Sequence, residues 1–157
     1  MKLAPCLWFD DQAVEAAEFY VATFPNSRIR SVVPYPEGTP GSAGTPMLVT
    51  FELDGTEVQA LNGGPLFTFS EAISLVITVD TQEEIDHLWE TLTADGGEPG
   101  QCGWLKDRFG LSWQIVPRGF EEMDPAADPE AYGRAMRAVL TMTKLDIAAI
   151  ERAAAGG

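Results

Sequence analysis

The sequence predicts an α+β fold built from two tandem βαβββ modules, with a helical extension at the C-terminus. Three observations carry this. Strand-like and helix-like segments recur twice in the same order, short motifs repeat at fixed offsets, and the chain turns helical after Pro125.

Residues 3–10 read as a strand. Asp10-Asp11-Gln12 is suited to cap a helix running to about Thr23, where Phe24-Pro25-Asn26 stops it. Arg28 to Tyr35 reads as a second strand. Residues 34–46 hold four prolines and three glycines and read as a mobile hairpin loop. Met47 to Leu53 and Thr56 to Leu61 flank a turn at Asp54-Gly55.

The second round begins with a β-branched strand from Ala72 to Val79, then Asp80 or Thr81 as a helix cap. Ile85, Leu88, Trp89 and Leu92 fall on one helical face. Gly96-Gly97 ends that helix. Residues 98–106 are extended, with Gly100 or Gly103 placed to split them. Leu111 to Val116 follows as a strand after the turn 107–110, where Asp107 is suited to cap the turn. Asp128-Pro129 then opens a helix with the stripe Tyr132, Ala135, Met136, Val139 and Leu140, and a last helix covers about 144–154. The modules are expected at 1–62 and 72–118 of a single domain, with a linker at 63–71 and helices over 119–157.

The repeat is visible in the residues. A shift of 70 places Asp10 and Gln12 on Asp80 and Gln82, and Phe19 on Trp89. A shift of 55 places Gly55 and Gln59 on Gly110 and Gln114. The difference of 15 is close to the length of the Pro/Gly-rich loop, which the second round lacks. Each module is expected to curl into a small sheet with its helix on the convex side, the two concave faces closing on a shared cavity. Strand alternation then points Gln59 and Gln114 inward, either to bind a polar substrate or simply to hydrogen-bond inside the barrel. Ser74, six residues before Asp80, corresponds to Ala4 before Asp10.

Composition narrows the function. Ten Lys and Arg against 24 Asp and Glu give a net charge of −14, which repels nucleic acid and anionic membranes. No apolar run approaches the roughly 20 residues of a membrane span, and the N-terminus lacks signal-peptide architecture, so a cytoplasmic location is expected. Two cysteines make no disulfide framework, and His87 as the single histidine leaves no multi-histidine zinc site. His87 lies beside the apolar stripe of its helix and reads as a surface residue. Cys102, with Lys106 four residues on, and Cys6 are weak nucleophile candidates, because free cysteine is more often a small buried hydrophobe. Glu71 is a weak acid/base candidate. Trp8, Trp104 and Trp113 either fill the core or line a pocket, and Asn62-Gly63-Gly64-Pro65 is first a linker turn and second a rim of the site.

Leu61-Asn62-Gly63-Gly64-Pro65, Ala72-Ile73-Ser74, Asp86, Trp89, Cys102-Gly103-Trp104-Leu105 and the run from Asp107 to Ile115 carry a resemblance. They resemble the PhnB-like subgroup of the vicinal oxygen chelate superfamily, which includes glyoxalase I, extradiol dioxygenases and bleomycin-resistance proteins. The resemblance is expected to extend through the C-terminal helices. Members are often labelled 3-demethylubiquinone-9 3-methyltransferase. Metal-dependent relatives carry His, Gln or Glu at one position on each of four inner strands, and the resemblance puts those positions at Ala4, Gln59, Ser74 and Gln114. Alanine and serine there, with two neutral amides, argue against a metal. No Gly-rich strand-to-helix turn is present to receive a nucleotide-like cofactor such as S-adenosylmethionine.

The expectation is therefore a metal-independent protein with no cofactor, binding a small molecule through Trp8, Gln59, Asn62, Ser74, Trp104 and Gln114. The alternative is an enzyme acting on a small carbonyl- or hydroxyl-bearing metabolite, with Glu71 or Cys102 in the chemistry. The resemblance also implies a homodimer. A third possibility is a structural dimer whose cavity is filled by its own side chains.

Overall fold

The computed structural model describes residues 1–39 and 41–157. The chain divides into two compact units, Met1–Phe69 and Ser70–Gly157.

In the first unit, β1 (Cys6–Phe9), α1 (Ala13–Thr23), β2 (Arg28–Pro34), β3 (Pro46–Leu53) and β4 (Thr56–Asn62) follow in order. The sheet order is β1-β4-β3-β2, with β1 parallel to β4 and the other pairs antiparallel. Alternation along β4 buries Val58, Ala60 and Asn62 and leaves Glu57, Gln59 and Leu61 half-buried on the other face. The buried side packs with Leu7, Phe9, Val49 and Phe51 against Ala13, Ala16, Ala17 and Tyr20 of α1. Small alanines let the helix approach the sheet closely, and Tyr20 stacks on Phe51 with ring centroids 6.2 Å apart.

The second unit repeats the plan with β5 (Leu75–Val79), α2 (Gln82–Thr93), β6 (Glu98–Pro99), β7 (Trp104–Lys106) and β8 (Ser112–Pro117). Its sheet order is β5-β8-β7-β6, the same topology as the first. The registers carry the repeat to the residue: Cys6 pairs with Gln59 in one unit and Val76 with Gln114 in the other. Those are the two offsets read from the sequence, 70 and 55. The core here is Val79, Ile85, Leu88, Leu92, Leu105, Leu111, Trp113 and Ile115.

Several expected boundaries move. β1 starts at Cys6 and not Leu3, and β5 starts at Leu75 and not Ala72. The side chains of Asp10, Asp11 and Gln12 do not cap α1; the Asn62 side chain does, its Oδ1 accepting from Ala13 N at 2.7 Å. Thr81 caps α2 as expected, in a reciprocal box with Glu84. That helix ends at Thr93 and passes through a 3₁₀ turn, Ala94–Gly96, before Gly97. The stretch 98–106 does split, at a turn over 101–103. In the Pro/Gly-rich loop, Tyr35 and Thr45 close a hairpin, with Tyr35 N donating to Thr45 O at 2.8 Å; Pro40 lies outside the described residues.

The C-terminal segment adds α3 (Arg118–Glu121), unforeseen in the sequence, then α4 (Pro129–Val139) and α5 (Ile147–Ala155). The last helix begins at Ile147, later than the expected 144, because Asp146 caps it by accepting from Ala149 N. Ala135, Val139, Leu145 and Ile150 form a cluster with Cys102, Phe120, Met123 and Met142. The α4 stripe thus finds its partner inside its own unit. Leu140, expected in that stripe, lies past the helix and is exposed.

Candidate functional site

Each sheet has one face covered by its helix, so a ligand site on the sheet must use the other face. In the second unit that face carries Val76 and Thr78 on β5, Ser112, Gln114 and Val116 on β8, and Trp104 and Lys106 on β7. Gln114 sits at its centre, paired in register with Val76 on one side and Trp104 on the other. Its Nε2 donates to Ser74 Oγ at 2.8 Å. Two residues singled out from sequence are thus brought into direct contact, with the half-buried Trp104 ring position adjacent.

Lys106 Nζ lies 2.5 Å from Glu71 Oε1. The hydrogen bond from Lys106 holds the Glu71 carboxyl below the usual carboxylate range, and Glu71 in return raises Lys106. A carboxylate so stabilised stays ionised at neutral pH and is a poor general acid. Lys106 is therefore paired with Glu71, and not with Cys102, which the sequence spacing allowed only if Gly103 left the strand unbroken. Cys102 has φ 58° in the turn before β7, so strand parity does not connect it to Lys106. Its half-buried side chain packs in the C-terminal apolar cluster, the setting of a small hydrophobe. Partial desolvation pushes the Cys6 thiol up, away from the thiolate.

In the first unit the face opposite α1 holds Cys6 and Trp8 on β1, Gln59 and Leu61 on β4, and Leu48 and Thr50 on β3. Gln59 is the counterpart of Gln114, but Ala4 stands where Ser74 would be, so it has no equivalent hydroxyl. Trp8 is held structurally: Nε1 donates to Gly64 O at 2.8 Å and its ring meets Phe67 edge-on at 5.0 Å. A side chain at Gly63 would collide with the Trp8 ring, which explains glycine there. Asn62 is also structural. Its Oδ1 caps α1, its Nδ2 donates to Pro46 O at 3.0 Å, and its carbonyl accepts from the Tyr35 hydroxyl. Those bonds account for the amide that sequence reading assigned to a ligand.

Asp107 caps its turn, as expected from its position. Buried, it accepts from Phe109 N, Leu111 N and Trp113 Nε1 at 2.8–3.0 Å. Trp113 is accordingly core and not pocket wall. Sequence reading passed over Ser112. Its Oγ is buried with no hydrogen-bond partner among the described residues, two positions before Gln114 on the same face. The alternation of β8 was the signal that pointed to it.

No group of three His, Cys, Asp or Glu among the described residues is placed to hold a metal. The Gln114–Ser74 pair offers only neutral oxygens and an N–H donor, a poor match to Fe, Ni or Zn.

Two βαβββ units with the same strand order define the fold class, and solved structures share it. The chain belongs to the family described as 3-demethylubiquinone-9 3-methyltransferase, whose family model matches residues 1–116. Among solved structures it is similar to a Bacillus cereus PhnB protein carrying the same methyltransferase label, at 36% identity and TM-score 0.68. That match covers 74% of this chain and 99% of the other. Protein PA1353 from Pseudomonas aeruginosa shares the fold at 20% identity and TM-score 0.61, over 74% of this chain and 97% of that one. The Listeria monocytogenes fosfomycin resistance protein FosX does so at 13% identity and TM-score 0.50, over 74% and 92%. No curated protein matches. The family model stops at residue 116, so the resemblance does not extend through the C-terminal helices as expected.

Proposed function

We propose that the protein binds a small, polar, partly planar molecule without a metal, on the sheet face of its second unit opposite α2. One observation carries this reading: Gln114 and Ser74 are hydrogen-bonded to each other on that face, in register with Trp104. The pair leaves Gln114 Oε1 as an acceptor and the Ser74 hydroxyl as a donor, which suits a carbonyl- or hydroxyl-bearing ligand. Trp104 supplies a flat apolar surface beside them. The neutral donor set favours binding without a metal. Gln59 stands at the repeat-related position of the first unit. Membership of a methyltransferase-labelled family does not supply a methyl-donor site, and no glycine-rich turn opens a helix here.

The reading extends to a homodimer, on the resemblance to the PhnB-like subgroup, and to the cytoplasm, on charge and sequence. Within the chain no helix of the described residues is long and apolar enough to cross a membrane. Light scattering on the eluting protein checks the dimer; a mass of one chain removes it.

The test combines two measurements. Metal content is measured on protein purified without tag or chelator, and near-stoichiometric Zn, Fe, Ni or Mn overturns metal independence. A panel of small planar hydroxy- and carbonyl-bearing compounds is screened by thermal shift. At least one is expected to raise Tm, and Gln114→Ala to weaken its binding about tenfold by loss of a buried hydrogen bond. A panel without effect, or a hit indifferent to Gln114→Ala, overturns the site.

A further inference from the structure

Residues beyond 116 lie outside the family model, yet they grip the strand that presents Trp104. The connection between α4 and α5 runs past the 101–103 turn. Its Met142 and Thr143 carbonyls accept from Cys102 N and Gly103 N, each at 2.8 Å. Gln101 Nε2 reaches Thr143 Oγ1 at 3.4 Å. The turn is an unfavourable one to leave unsupported: Cys102 and Gly103 both have left-handed φ, 58° and 81°. A non-glycine residue pays about 1 kcal/mol there. A side chain at Gly103 would sit 2.8 Å from Ile115 O and 3.1 Å from Leu145, so the connection fits against bare backbone.

The same connection is anchored on its other side by α2. Gln82 makes a two-point contact with the backbone, Nε2 donating to Leu145 O at 3.1 Å and Oε1 accepting from Ile147 N at 2.9 Å. Lys144 Nζ lies 2.5 Å from Asp86 Oδ1. Asp86 also accepts from Gln82 Nε2 at 3.2 Å, which keeps the glutamine amide oriented. A continuous chain of contacts thus runs from Gln82 through 142–147 to the 101–103 turn, and one residue later to Trp104.

We propose that the 140–147 connection is a brace that sets Trp104 against Gln114, and that Gln82 is a positioning residue for the ligand face. This rests on the reading of Trp104 as a wall of that face. The C-terminal extension then contributes to the site without touching the ligand.

The experiment needs no ligand, so its failure is distinct from failure of the binding reading. In the full-length chain carrying Gln82→Ala, amide exchange and the Trp104 indole resonance are followed by NMR, the indole being assigned with Trp104→Phe. Exchange at Cys102 and Gly103 is expected to accelerate at least about tenfold, and the Trp104 indole peak to shift. Amides of α2 from Ile85 to Leu92 keep their protection. Unchanged exchange at Cys102 and Gly103, or an unmoved indole, overturns the proposal. Should Gln82→Ala lower protection through the whole second unit, Lys144→Met decides, since it removes only the partly exposed contact to Asp86. A selective rise in exchange at 102 and 103 in that variant upholds the brace, and its absence overturns it.

Discussion

Asp107 shows how a single residue sets local structure. Its buried carboxylate satisfies two backbone N–H groups and the Trp113 indole, so it closes the turn and orients the largest core side chain of its unit. Asp107→Ala removes the carboxylate acceptor of three N–H groups, two of these bonds being buried. The expected cost is about 3 kcal/mol, read as a lower denaturant midpoint with unchanged slope. The Lys106–Glu71 pair makes a pH prediction with a definite sign. Glu71 is lowered by its lysine, so the pair's contribution is present above the ordinary glutamate range and lost as pH falls through the lowered value. Lys106 is raised, so the same contribution is lost at alkaline pH as its raised value is passed. Lys106→Met is expected to return Glu71 to an ordinary titration, followed by side-chain carboxyl NMR. A midpoint that stays put would show that Lys106 is not the cause.

Elements are held by caps that differ between the repeats. α2 carries its own capping box, Thr81 with Glu84, which the local sequence encodes within four residues. α1 takes its cap from Asn62, 49 positions away at the end of β4. Thr81→Ala is expected to cost about 1 kcal/mol. Asn62→Leu is expected to cost more, about 2–3 kcal/mol, because it also strands the Pro46 carbonyl and buries an uncapped helix start. Paired thermal melts of the two variants check the order; equal losses would mean that Asn62 acts only as a cap. The polar triplet Asp10-Asp11-Gln12 has the residue types of a cap, and residue type is local information. Whether a side chain folds back onto its own helix depends on the approach of the preceding strand, which is not local.

At the scale of the molecule, the C-terminal helices are part of the second unit and not an appendage. Leu145→Ala, in the cluster with Val139 and Ile150, is expected to cost about 2–5 kcal/mol as a core cavity. A loss below about 1 kcal/mol, measured by chemical denaturation, would show that the helices dock weakly. The repeat was legible because duplication leaves residues at constant offsets and because strand and helix periods differ, so β-α-β-β-β could be read twice. The register that pairs Cys6 with Gln59 and Val76 with Gln114 then follows the same offsets. Gln114 and Ser74 could be nominated by alternation and by the repeat. Their hydrogen bond could not, since it joins residues 40 positions apart. A spacing of four puts Cys102 and Lys106 on one strand face only if the backbone stays extended, and two left-handed residues break it. By itself the sequence determined the order of elements, the internal repeat and the charge that disfavours polyanionic partners, because these depend on composition and on short-range periodicity. Only the tertiary structure decided which polar residues are spent on the fold, as Asn62 and Asp107 are, and which remain on the sheet face, as Gln114 and Ser74 do. A hydrogen bond is used or left available according to what other segments bring within about 3 Å, and that is a property of the folded chain.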